Sequence, residues 1–61
     1  MNRTQKIYTL FLDYLLSERM GVEDVVSIQE SLVLREDYEG AEGIGLALLD
    51  YVGSLSLNDF N

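Results

Sequence analysis

The sequence predicts an all-α fold, a small single domain of three helices near residues 4–20, 22–35 and 40–55, with a second copy of the chain as the expected means of completing its core. Three observations predict it. Apolar residues recur at helical spacing in the first and third segments. Glycines punctuate the chain at Gly21 and again at Gly40, Gly43 and Gly45. Finally, 48% of the 61 residues are apolar, too many for an acidic disordered tail, while the absence of cysteine leaves no covalent or thiolate-metal staple. A chain this short supplies only a few kcal/mol from its own core, so self-association is the remaining route to stability.

The first helix is read over TQKIYTLFLDYLLSERM. At about 100° per residue, Ile7, Phe11, Tyr14 and Leu15 share one face with Leu10 and Leu12 at its shoulders, and Lys6, Thr9 and Asp13 lie opposite. That apolar arc is about 200° wide, more than one neighbour needs. Ile7, Phe11, Tyr14 and Leu15 are therefore the expected oligomer interface. Gly21, just past the last periodic residue, is expected to end the helix in a left-handed conformation.

Residues 22–35 carry two patterns. Val26, Ile28, Leu32 and Leu34 alternate as in a strand, which makes a strand at 25–34 the main alternative, but Glu30 interrupts that row. On helical spacing the valines, Ile28 and Leu32 gather on one arc and Glu23, Asp24, Ser27, Glu30 and Ser31 on the other, leaving only Gln29 and Leu34 misplaced. Helix is the preferred reading, with Glu23 and Asp24 in a first turn that favours carboxylates.

The third helix starts between Asp37 and Glu42 and runs to about Leu55, with Ile44, Leu48, Tyr51 and Leu55 as its buried centre; the polar residues 56–61 are expected to fray. A weak echo links the outer helices. Ile7, Leu12, Asp13, Tyr14 and Ser17 recur as Ile44, Leu49, Asp50, Tyr51 and Ser54, each 37 residues later.

Ligand chemistry finds little support. Gly40, Gly43 and Gly45 are spaced GxxGxG with no preceding strand and no following GK[ST], so they are not a phosphate loop. If Gly40 took the glycine place of a calcium loop, the first and twelfth ligands would fall on Arg35 and Leu46, and with no histidine in the chain no metal is expected. Residues 15–31 have the outline of a helix-turn-helix, yet the second helix would present Glu23, Asp24 and Glu30 and no basic side chain to DNA. Without histidine or cysteine, and with no base placed for any serine, neither catalysis nor a cofactor is expected.

Charge points to a protein partner. The net charge is −7, and residues 36–61 hold six acids and no base. Such a surface repels phosphate backbones and anionic lipids, so direct nucleic-acid and membrane contacts are disfavoured and a basic protein is favoured. Glu36, Asp37, Glu39, Glu42 and Asp50 are the expected source of the field, with Tyr38, Leu46 and Leu49 as apolar anchors. If residues 36–42 are helical, four charges over about 9 Å approach the density of duplex DNA, so a small regulator or inhibitor that blocks a nucleic-acid-binding groove, of the sort mobile genetic elements encode, is the leading expectation. A helical oligomerisation or adaptor module, with the acids only solubilising, is the alternative. With neither a cleavable leader pattern nor an apolar run near the roughly 20 residues of a membrane span, a soluble cytoplasmic protein is expected.

Overall fold

The computed structural model describes residues 2 to 60, with side chains as far as Ser56. Three helices follow one another: α1 (Arg3–Leu16), α2 (Val22–Leu34) and α3 (Tyr38–Phe60). The long third helix is the hub. Both others pack on it while barely touching each other.

Contacts fix the directions. Arg3 meets Asp37, Thr4 and Ile7 lie against Gly43, and Tyr8 meets Asp50, so α1 and α3 run parallel. Leu32 lies against Gly40 and Gln29 against Ala41 and Gly45, so α2 runs antiparallel to both. The core at their junction consists of Phe11 and Leu15 from α1, Val25 from α2 and Ala41, Ile44 and Ala47 from α3. Phe11 and Tyr14 meet edge to face with ring centres 5.6 Å apart, the favourable arrangement for their quadrupoles.

Local chemistry explains the starts. Asn2 caps α1, its side-chain oxygen accepting the Gln5 N–H at 2.8 Å. Asp24 reaches back to the Gly21 N–H at 3.4 Å at the head of α2. Asp37 opens α3 by accepting the Gly40 N–H at 3.2 Å.

Both links close in the same way. The Arg19 N–H donates to Tyr14 O (3.0 Å) and the Glu18 N–H to Leu15 O (3.2 Å), while the Asp37 N–H donates to Leu32 O (2.8 Å) and the Glu36 N–H to Val33 O (2.9 Å). These are Schellman closures, with Glu18 (φ 61°) and Glu36 (φ 62°) in the left-handed position usually held by glycine. The expected end of α1 at Gly21 is therefore corrected. The helix stops at Leu16, the left-handed residue is Glu18, and Gly21 is the extended N-cap of α2. Ending early frees Met20 to fold back against the core.

Residues 22–34 are helical, so the strand alternative at 25–34 is overturned. Val25 is completely buried, whereas a strand there would have put Glu30 in the inward row. The two residues that fitted the helix poorly have separate explanations. Gln29 is half-buried and donates from Nε2 to Ala41 O at 3.0 Å, latching α2 to α3, while Leu34 is left 85% exposed.

α3 runs on to Phe60, past the expected end at Leu55, and the fraying expected over 56–61 falls mostly on residues outside the side-chain description. Outrunning its partners leaves Leu55, expected in the buried centre, 46% exposed. The echo between α1 and α3 does not make equivalent positions. Leu12 is half-buried and Leu49 exposed; Asp13 is exposed and makes no side-chain bond among the described residues, while Asp50 accepts a bond from Tyr8. No helix among the described residues is long and apolar enough to cross a membrane.

Candidate functional site

α3 is covered by α1 on one flank and by α2 on another, which leaves a third flank open. Helical spacing puts Glu39, Glu42, Leu46 and Leu49 along it, with Asp50 at its α1 edge and Val52 at its α2 edge. Leu46, Leu49 and Val52 are 43%, 71% and 50% exposed, and Glu39 and Glu42 are exposed with them. Apolar side chains therefore stand in water among carboxylates, and residues 36–61 offer no cation to neutralise them.

The expected acidic set divides in two. Asp37 forms a bidentate ion pair with Arg3 and caps α3, which ties the starts of α1 and α3 together. The hydrogen bond from the Arg3 guanidinium holds its carboxyl below the ordinary carboxylate range, helped by the Gly40 N–H and opposed by partial desolvation. Asp50 accepts the Tyr8 hydroxyl, and that bond, with some desolvation, raises the Tyr8 phenol above its usual value. Glu36 occupies the left-handed link position. Glu39 and Glu42, one turn apart on α3, are exposed and have no ion-pair partner among the described residues.

The comparison with a phosphate track is conditional on a helix over residues 36–42. The helix assumed over residues 36–42 begins only at Tyr38, because the Schellman turn at Glu36 and the cap at Asp37 precede it. Four evenly rising charges do not form. Tyr38, the third expected anchor, is 62% exposed on the first turn of α3.

The residues of the expected oligomer face lie at the helix junction. Phe11 and Leu15 are 9% and 1% exposed inside the chain's own core, with Ile7 and Tyr14 half-buried against it. A second surface shares Glu42, Leu46 and Leu49 with the open flank of α3. Between α2 and α3 runs an open trough of about 560 Å³, lined by Gln29 from α2 and by Gly45, Leu48, Leu49 and Val52 from α3. At Gln29 it adjoins a second hollow lined by Glu30, Val33 and Leu34, all of α2. The misplaced Gln29 and the exposed Leu46 and Leu49 were the trough's legible signs.

Between α1 and α3 a smaller hollow is lined by Thr4, Gln5, Tyr8, Leu46 and Asp50, but its carboxylate is already occupied by the Tyr8 hydroxyl. No group of acids among the described residues is arranged to hold a metal ion. Comparison of the chain with known protein families, with curated proteins and with solved structures gives no match.

Proposed function

We propose that this chain is a small protein-binding regulator that lays the open flank of α3 on a partner surface combining apolar and basic groups, and acts by covering that surface. One observation carries the reading: Leu46 and Leu49 stand exposed in line with Glu39 and Glu42 on the only flank of α3 without a helix against it among the described residues. Acids placed for solubility alone would not need leucines between them, and contiguous exposed apolar surface on a small protein marks an interaction site. The leucines would supply buried area and the glutamates orientation and steering.

The partner implied is a basic protein. Mimicry of a nucleic-acid backbone is not part of the reading, because the charge spacing it needs is absent from residues 36–42. Affinity capture with the tagged chain from a plausible host lysate, at about 0.1 M and about 1 M salt, tests it, since the Debye length falls from about 10 Å to about 3 Å between them. A captured protein should be retained at the lower salt and lost at the higher. Both Glu39→Lys with Glu42→Lys and Leu46→Ala with Leu49→Ala should reduce its recovery about tenfold. Equal recovery by all three chains would sink the proposal, and loss only with the leucine pair would favour an adaptor whose acids merely solubilise it.

A further inference from the structure

We infer that the trough between α2 and α3 seats one amphipathic helix of a partner protein, with an apolar stripe flanked by lysine or arginine, which completes a four-helix bundle. The inference rests on the protein-binding reading above and names the shape and charge of what is bound.

The trough has the form of a helix seat. Gly45 and Ala41 keep its floor low, and Leu48 gives that floor an apolar surface. Gln29, the polar group on the floor, gives one amide N–H to Ala41 O, and its other N–H and its carbonyl stay open to a polar group on the arriving helix. The α3 wall is apolar, with Leu49 71% exposed and Leu46 and Val52 beside it, and past Gln29 the α2 side continues as Glu30 and Val33. From Ala41 to Val52 the α3 wall rises about 16 Å, the length of three helical turns. Two helices flanking such a groove present i and i+4 ridges between which a third can lie.

Charge chooses the occupant. Glu42 lines the trough on the α3 side, Glu30 lines the hollow that adjoins it at Gln29 on the α2 side, and no residue lining either is basic. A helix lying between them meets a carboxylate on each side, so cations on both edges of its apolar stripe are complementary. A second copy fits poorly. It would bring a further −7 to the same place, and the helix with the most exposed apolar surface, α3, carries no base to set against Glu30 or Glu42.

The test uses the full chain and three synthetic 18-residue peptides. One has a leucine stripe at i, i+3, i+4 and i+7 flanked by lysine, one has the same stripe flanked by glutamate, and one scrambles the lysine peptide. Each carries one tryptophan, which the protein lacks, so fluorescence reports binding without interference. At about 0.1 M salt the lysine peptide should bind saturably with a micromolar Kd, at least tenfold tighter than the other two, and gain helicity. Leu49→Lys and Val52→Lys, at exposed positions that the core does not use, should each weaken it at least tenfold. Leu16→Lys, 58% exposed on α1 and outside the trough, should leave it unchanged.

Equal binding of the lysine and glutamate peptides overturns the inference, as does equal binding of the scrambled peptide. So does sedimentation showing a micromolar dimer that Leu49→Lys dissociates, because a second copy would then hold the trough. If capture from lysate is salt-sensitive and no peptide binds, the helix seat falls while the protein-binding reading stands; failure of both experiments removes both.

Discussion

Gly43 and Gly53 lie on one helix, and the same methyl group should have opposite effects at the two. A Cβ on Gly43 would stand 2.6 Å from Thr4 O and 2.9 Å from Ile7 Cβ, so it would press on the backbone of α1, which has no rotamer by which to yield. A Cβ on Gly53 meets nothing within 4 Å. Gly43→Ala is therefore expected to destabilise the fold by about 1–3 kcal/mol through overpacking, and Gly53→Ala to stabilise it by up to about 1 kcal/mol through helix propensity. Urea unfolding of the two variants checks both signs, and a stabilising Gly43→Ala would mean that α1 can back away. Close approach between helices was legible from the small residues around Gly43. The left-handed positions were not, because they fall on Glu18 and Glu36, whose side chains give no sign of that conformation, while no glycine among the described residues has positive φ.

At the scale of elements, the parallel pair α1 and α3 is fastened at its start by Asp37, which serves Arg3 and the first turn of α3 together. Since the folded carboxyl titrates below its unfolded value, its stabilisation is present above about pH 3.9 and is lost as pH falls through the folded value. Tyr8 works at the other limit. Its phenol is raised, so what it contributes is present below about pH 10 and is lost as pH rises through the folded value. Between pH 5 and pH 2.5 the melting temperature of Arg3→Gln should fall less than that of the parent chain, the two curves converging at the acid end. Parallel curves would show that the pair adds nothing to stability. The number and type of helices could be read from periodicity, but their ends could not. α1 stops at Leu16 because a turn and Met20 packing close it, and α3 begins at Tyr38 because Asp37 caps it. Both are settled by contacts that no local pattern displays.

For the whole molecule, seven net negative charges on 61 residues repel one another, and among the described residues a single ion pair, Arg3 with Asp37, stands to be weakened by screening. Raising sodium chloride from about 0.1 M to about 1 M at pH 7 should therefore raise the melting temperature by a few degrees. A fall would mean that the clasp outweighs the self-repulsion. The acidic flank of α3 could be read from one helix's sequence, since Glu39, Glu42, Leu46 and Leu49 fall together on a wheel. The trough beside it could be read only in its α3 half, because it is a hollow only once Gln29 of α2 lies against Ala41 and Gly45 of α3. The parallel pairing of α1 with α3 also sets the order in which the chain can assemble. Arg3, Thr4 and Tyr8 find their partners 34 to 42 residues downstream, and α1 barely touches α2. During synthesis the first helix thus waits without a docking surface until the last has been made, a long-range closure that slows folding relative to an up-and-down bundle of neighbours.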